Sequence, residues 1–168
     1  MKYKIYLSGP DRLLKNGKEI FEKYSLLCEK YGFELLKIPA ELFIHNSDEK
    51  QGYELAKKRL ELIKQADIVI ADTMDFRSNV EPYSESAFEL GIGYALKKKL
   101  YCYMLDIRAC ADRYVLEKKT NEHGNIVDEN GITFEPGPVN LMLEYSSKVV
   151  EGDFEDALKV AHKDMYEV

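Results

Sequence analysis

The segment Ala66-Asp67-Ile68-Val69-Ile70-Ala71-Asp72 places a short continuous apolar run between two aspartates. Such a run is typical of a strand that is buried on both faces. On either side of it, strand-like runs alternate with segments whose apolar residues recur at helical spacing. This alternation favours an α/β fold built on a mainly parallel sheet with helices on its faces. We predict five strands, over 3–7, 33–38, 68–71, 100–105 and 148–150.

The predicted helices follow from apolar residues at steps of three and four. In the second helix, Ser47 or Asp48 is the expected N-cap. Asn130-Gly131 lies between two short β-like runs, which predicts a hairpin within 120–135. One side of the second helix is expected to carry Leu55, Ala56, Leu60 and Ile63. The helices are predicted from Ile20 to Tyr31, around Leu55 to Ile63, from near Ser84 to Leu96, from Arg108 to Lys118 and after the cap residue Asp153.

The composition narrows the class of protein. A length of 168 residues suits one compact domain, and we expect residues 1–168 to form it. A formal net charge of −6 without any basic run argues against a nucleic acid polymer as partner. No apolar run approaches the roughly 20 residues of a membrane helix and no signal peptide is visible, so we expect a cytoplasmic protein without a membrane partner. The three cysteines lack CxxC spacing and the three histidines are scattered, which predicts reduced thiols and no metal site.

Chemistry-bearing residues follow the predicted strands. Ligands of open α/β sheets bind outside the carboxyl ends of the strands. Ser8-Gly9 follows the first strand, Asp72 follows the third with Arg77 just beyond, and Asp106 and Arg108 follow the fourth. Glu89 falls in the early turns of the next helix. Paired carboxylates suit cleavage of a glycosidic bond, because one attacks the anomeric carbon while the other protonates the leaving group.

Each of these residues also has a structural interpretation. Ser86-Ala87-Phe88-Glu89 fits a capping box, in which Glu89 would only satisfy a backbone N–H. If Ser84 is the cap instead, Glu89 lies one turn inside the helix, where the dipole favours its ionised form. The corresponding alternatives are a turn-forming Asp72, a surface ion pair for Arg77, a half-buried strand position for Tyr6 and a core position for Met142.

The chain resembles the nucleoside 2-deoxyribosyltransferases nearly from end to end, because four of its segments match this family in order and spacing. The segments are Ile5-Tyr6-Leu7-Ser8-Gly9-Pro10, then Ala66 to Asp72 with Phe76-Arg77, then Glu81-Pro82 with Ser84 and Ala87-Phe88-Glu89-Leu90-Gly91, and finally Pro138 to Leu143. The resemblance implies a flavodoxin-like (Rossmann-like) five-stranded sheet and a reaction without metal or organic cofactor. It also implies a deoxynucleoside and a free nucleobase as substrates.

The same resemblance implies a role for each matching residue. Glu89 would attack the anomeric carbon of a 2′-deoxynucleoside and form a covalent deoxyribosyl-enzyme, which an incoming base attacks with net retention. Tyr6 would orient this carboxylate, and Asp72 would protonate the departing base. Asn140 would hydrogen-bond the sugar and Met142 would line the pocket, both from a neighbouring subunit. A homo-oligomer based on dimers is therefore expected.

The chain departs from the family pattern at Tyr83, where an aspartate is expected, and at Glu85, which replaces a glycine. The missing carboxylate normally helps to hold the base. Glu81 or Glu85 could substitute for it, or the protein accepts another base or a modified or phosphorylated nucleoside. The leading hypothesis is a base-exchanging transferase. An alternative is a deoxynucleoside or deoxynucleotide N-glycosidase, with Ser8, Gly9 and Arg77 or Arg108 as a phosphate cradle. A further alternative, from a different class, is a nucleotide-binding module without catalysis.

Overall fold

The computed structural model describes residues 2–39, 42, 49–77, 81–115 and 117–167. Strands and helices alternate along most of this length. The strands are β1 (Lys4–Ser8), β2 (Glu34–Leu35), β3 (Ile68–Asp72), β4 (Lys99–Met104), β5 (Lys119–Thr120), β6 (Ile126–Val127) and β7 (Lys148–Glu151). The helices are α1 (Gly17–Lys30), α2 (Glu49–Gln65), α3 (Ser84–Ala95), α4 (Cys110–Tyr114), α5 (Leu141–Ser146) and α6 (Phe154–Tyr166), with a 3₁₀ turn at Pro10–Leu13.

Five strands form one parallel sheet in the order β2-β1-β3-β4-β7. This is the flavodoxin strand order, and it confirms the predicted fold class. The run Ile68–Asp72 is the central strand and is buried throughout, as its continuous apolar sequence predicted. Ser8 of β1 pairs in register with Ala71 of β3, so the carboxyl ends of these two strands lie side by side. The chain order changes direction between them, where such sheets bind ligands.

Helices cover both faces of the sheet. Successive side chains of a strand point to opposite faces. In β1, Ile5 and Leu7 therefore pack into the core that α1 and α6 cover, whereas Tyr6 packs into the core on the other face. Leu55 and Ile63 of α2 belong to the same core as Tyr6. This alternation places the Tyr6 side chain on the α2 and α3 face.

Several predicted elements are shorter or oriented differently. Strand 33–38 is reduced to Glu34–Leu35 at the sheet edge, and helix 108–118 to Cys110–Tyr114. The buried face of α2 consists of Leu55, Arg59, Leu62 and Ile63, while Ala56 and Leu60 are exposed. The predicted caps Ser47 and Asp48 lie outside the described residues, as does Leu116.

The hairpin predicted at Asn130-Gly131 is confirmed. Gly131 adopts a φ of 81°, and its N–H donates to the Asp128 carbonyl over 3.1 Å. Val127 and Thr133 form an antiparallel bridge across this turn. A second antiparallel pair, β5 with β6, precedes it and was not predicted. In the part of the chain that the structure describes, no helix is both long and apolar enough to cross a membrane.

Candidate active site

Helix α3 lies close on the sheet and thereby places Glu89 over β1. A side chain at Gly93 would collide with its neighbours, because a Cβ there would lie 2.7 Å from Leu100 Cδ2 and 3.1 Å from Val69 Cγ2. Glu89 lies one turn before Gly93 on the same helix face. The helix begins at Ser84 with Tyr83 in the N-cap position, so Glu89 falls in its second turn and is 4% exposed.

The Glu89 carboxylate is held by side chains from β1 and α2. The Tyr6 hydroxyl donates to Oε1 over 2.6 Å, and the Ser8 hydroxyl donates to Oε2. The Arg59 guanidinium lies 2.8 Å from Oε1 through Nη2. The capping-box interpretation of Glu89 is therefore wrong, since its partners lie on other elements. Tyr6 is fully buried rather than half-buried, and burial with the nearby Glu89 charge raises the pKa of its phenol, which keeps it a donor.

Arg59 is a residue of this site that sequence reasoning missed. Its side chain is buried, with the residue 6% exposed, and it contacts Tyr6, Glu85 and Glu89. A signal was present in the sequence. Leu55, Arg59, Leu62 and Ile63 are spaced by four, three and one, so a charged residue occupies the apolar stripe of α2. Charged residues are almost never fully buried unless they are paired, so this position indicates a carboxylate partner.

A second group of contacts surrounds Glu85. Arg12 donates from Nη2 to Glu85 Oε2 over 2.7 Å and to the Tyr83 hydroxyl over 2.9 Å, and Arg59 also contacts Glu85. Burial alone would raise the pKa of Glu85, but hydrogen bonds from Tyr83, Arg59 and Arg12 lower it to about 2. Tyr83 is buried against the Phe76 ring at 4.6 Å, and burial raises its pKa to about 12. The chain therefore presents an ion-paired cluster at the position of its departure from the family pattern.

Asp72 ends β3 and is buried next to Gly9. Burial raises the pKa of its carboxyl to about 6, although the Met74 N–H that donates to Oδ1 over 2.8 Å opposes the shift. This backbone contact is the turn-forming role that the sequence allowed, and a buried carboxyl with a raised pKa is also suited to proton transfer. A Cβ at Gly9 would lie 3.0 Å from the Asp72 Cβ, so the two backbones approach closely.

Among the described residues, the remaining predicted positions form no hydrogen bond or ion pair with Glu89, whose polar contacts are Tyr6, Ser8 and Arg59. Arg77 is exposed, with φ of 53°, and its guanidinium stacks on the Phe76 ring at 4.9 Å. Asn140 caps α5, because its Oδ1 accepts from the Leu143 N–H over 3.1 Å. Met142 is 73% exposed, so the expectation of a core position is wrong: only Leu143 of the Leu141-Met142-Leu143 run faces inward. Arg108 is exposed and pairs with Asp106.

A cleft of about 930 Å³ opens beside this site, between the antiparallel strands and the carboxyl edge of the sheet. The residues that line it include Asn140 and two sequence neighbours of site residues, Thr73 after Asp72 and Pro82 before Tyr83. Glu89 does not line it. Across the described ranges, no three or more His, Cys, Asp or Glu side chains are grouped to hold a metal ion.

The fold and these contacts define the class: a flavodoxin-like α/β protein with two buried carboxylates at the switch point of its sheet. Residues 5–142 match the family model described as nucleoside 2-deoxyribosyltransferase, and the chain belongs to this family of enzymes.

The chain is also similar to solved structures. A 2-desoxiribosyltransferase from Leishmania mexicana is 27% identical, with a TM-score of 0.75 over 97% of this chain and 99% of that chain. A conserved protein from Enterococcus faecalis V583 shares the fold at 17% identity and a TM-score of 0.51, over 96% of this chain and 99% of that one. A CMP N-glycosidase from Clostridium botulinum is 18% identical, with a TM-score of 0.47, over 97% and 98%. No curated protein matches the chain in sequence.

Proposed function

We propose that this protein exchanges the base of 2′-deoxynucleosides through a covalent deoxyribosyl ester on Glu89. The observation that carries the proposal is the buried Glu89 carboxyl group, which lies beside the Arg59 guanidinium and is fixed by hydroxyl donors from Tyr6 and Ser8. A carboxylate nucleophile has to be held in one orientation to attack a sugar carbon efficiently. The family assignment supplies the sugar and the leaving base as the reacting groups.

In the first step, a Glu89 oxygen attacks C1′ and the C1′–N bond breaks. The electron pair of that bond passes to the base nitrogen, which takes a proton from Asp72. An ordinary aspartate would be ionised at neutral pH, but burial raises the pKa of Asp72 to about 6, so a useful fraction remains protonated. The products are the free base and a neutral glycosyl ester.

In the second step, a ring nitrogen of the acceptor base attacks C1′ from the opposite face. The C1′–O bond breaks, its electron pair returns to Glu89, and the proton of the attacking nitrogen passes to Asp72. Two inversions give net retention, as in retaining glycosidases. The Tyr6 phenol, which remains protonated, donates to Glu89 at the start and at the end of this cycle.

We further propose that a second copy of the chain completes the site with Asn140 and Met142. Among the described residues neither forms a hydrogen bond or ion pair with Glu89 in one chain: Asn140 caps α5, and Met142 is largely exposed. Other exposed apolar side chains lie on α5 and on α3, which packs against it: Phe88, Leu141 and Tyr145. An exposed apolar patch of this kind on packed helices suits a protein interface.

The test of the reaction is to incubate the protein with deoxyinosine and adenine and to follow deoxyadenosine by chromatography. Intact-mass measurement after brief exposure to a 2′-deoxy-2′-fluoro nucleoside is expected to show one added sugar on Glu89. Glu89→Gln is expected to lose both signals, with turnover reduced by at least about 10³-fold. Glu54→Gln, an exposed residue with the same charge change, serves as the control and should behave as wild type.

The outcomes separate the hypotheses. Exchange that survives Glu89→Gln would contradict the assigned nucleophile. Release of deoxyribose or deoxyribose phosphate without an acceptor base would favour the N-glycosidase, and saturable binding without turnover would favour the non-catalytic module.

Sharing of the site between subunits has its own test. Inactive Glu89→Gln subunits mixed with inactive Asn140→Asp subunits should recover part of the activity, because some sites would then combine two intact halves. Aspartate keeps the helix cap of α5, so this variant is expected to fold. A mixture that stays inactive would contradict the shared site.

A further inference from the structure

We propose that Arg59 of α2 is the residue that orients the Glu89 carboxylate and stabilises it as the leaving group when the glycosyl ester is broken. This inference rests on the proposed function, because it assigns a task within the covalent cycle on Glu89. Nothing in the family assignment or in the sequence motifs singled out this position.

Each of the three guanidinium nitrogens of Arg59 contacts a different side chain. Its Nε donates to the Tyr6 hydroxyl over 3.0 Å, Nη2 lies 2.8 Å from Glu89 Oε1, and Nη1 contacts Glu85. A guanidinium is a planar, rigid fork, so these contacts fix its orientation and that of the groups it touches. Arg59 therefore connects β1, the start of α3 and the nucleophile through one buried side chain.

The two oxygens of Glu89 are not equivalent. Oε1 accepts from the Tyr6 hydroxyl and forms the ion pair with Arg59, whereas the contact of Oε2 among the described residues is the hydrogen bond from the Ser8 hydroxyl. Oε1 is thus flanked by two groups, the Tyr6 hydroxyl and the Arg59 guanidinium, whereas Oε2 accepts one hydrogen bond and, with about two lone-pair sites on a carboxylate oxygen, keeps a site for the sugar. We infer that Oε2 forms the bond to C1′, while Oε1 becomes the ester carbonyl and stays with Tyr6 and Arg59.

The charge on Glu89 changes during the cycle, whereas the charge on Arg59 does not. Glu89 loses its negative charge when the ester forms and regains it when the acceptor base attacks. The fixed positive charge of Arg59 beside Glu89 favours the carboxylate over the ester. Such a preorganised donor stabilises a transition state most strongly where charge develops in a site that excludes water. Removal of Arg59 should therefore slow the breakdown of the ester more than its formation.

The experiment compares Arg59→Gln, Arg59→Lys and Lys58→Gln in base exchange. Lys58 is the neighbouring residue of α2 and forms an ion pair with Glu61 at 3.9 Å, so it controls for loss of one charge on this helix. Rapid quenching measures the release of the first base, intact mass measures the fraction of enzyme carrying the sugar, and thermal melting reports folding. Arg59→Gln should lose about 10²-fold in turnover, as for other donors to a developing anion, and should accumulate the sugar adduct during turnover.

The other variants complete the comparison. Arg59→Lys keeps the charge but loses the fork, so both its turnover and its adduct fraction should lie between wild type and Arg59→Gln. Lys58→Gln should match wild type. If Arg59→Gln fails to fold, Arg59→Lys carries the test through its adduct fraction alone.

Two results would overturn the inference: wild-type turnover in the Arg59 variants, or a loss of turnover without any rise in the adduct, which a merely structural role would give. Failure of the proposed function looks different, because wild-type protein would then form neither adduct nor exchanged nucleoside.

Discussion

The substitution Asp72→Asn should stabilise the protein while abolishing its proton transfer. Asp72 is buried, and the pKa of its carboxyl rises from an ordinary 3.8 to about 6. The folded protein therefore binds this proton more tightly than the unfolded chain does. The stabilising contribution of the protonated form is fully present below pH 3.8 and is lost as the pH rises to about 6. Above that pH, the carboxylate is ionised and buried, which lowers the free energy of unfolding of the protein.

The magnitude follows from the same values. Each tenfold change in a proton affinity corresponds to about 1.4 kcal/mol, so a rise from 3.8 to about 6 corresponds to about 3 kcal/mol. Asparagine carries no charge, and its Oδ1 can still accept from the Met74 N–H. We expect Asp72→Asn to raise the free energy of unfolding by about 3 kcal/mol at pH 8 and to leave it nearly unchanged at pH 4.

The assay is urea unfolding at pH 4 and pH 8, followed by circular dichroism because the chain contains no tryptophan. At pH 8 the variant should also melt about 9 °C higher, given the usual dependence of melting temperature on stability at this length. Glu54→Gln, at an exposed site, should show no difference at either pH. A stability difference between Asp72→Asn and wild type that is the same at both pH values would refute the reasoning, since burial of the charge would then have no measurable cost.

Three further substitutions test other contacts of the site. Tyr6→Phe removes one donor to Glu89 and should lower turnover by about 10²-fold, measured by base exchange; unchanged turnover would remove Tyr6 from the mechanism. Gly9→Ala places a Cβ 3.0 Å from the Cβ of Asp72 and should displace that side chain, so turnover should fall about 10-fold. Because the backbone of Gly9 is extended and accepts alanine, the melting temperature should stay the same. Wild-type turnover would show that Asp72 need not keep its position. Met142→Asp puts a charge into the exposed apolar patch and should give a smaller species in light scattering, whereas an unchanged mass would exclude this surface as the interface.

The fold could be predicted from the sequence because its signals are local. Ile68–Asp72 is apolar throughout and is buried throughout, and the turn at Gly131 requires the positive φ that glycine adopts easily. The predicted length of β2 and the predicted buried face of α2 were wrong, because tertiary contacts determine both. The edge strand β2 has a neighbour on one side only and shortens to two residues. The buried face of α2 was misplaced because Arg59 was not considered a core residue.

The site was predictable only in part, for a related reason. Glu89, Tyr6 and Ser8 carry sequence signals at a strand end and in a helix, and the packing of α3 on β1 brings them together. The partners of Glu89 cannot be read from Ser86-Ala87-Phe88-Glu89, because the same letters describe a capping box. Choosing between the two interpretations requires knowing that β1 and α2 face this turn of α3, which is information about packing and not about pattern.

The two carboxyl groups of the site, Asp72 and Glu89, differ in whether a cation lies beside them, and this difference distinguishes their roles. Asp72 has no cationic partner among the contacts that set its pKa, so burial shifts it toward the protonated acid and makes its ionised form costly. Glu89 is paired with a buried guanidinium, and removing one partner of such a pair typically costs about 3–5 kcal/mol, because the other charge is left without compensation. A proton donor benefits from the first environment and a nucleophile from the second. One fold therefore holds two carboxyl groups in different environments, Asp72 at the end of β3 and Glu89 on α3, because a guanidinium lies beside Glu89.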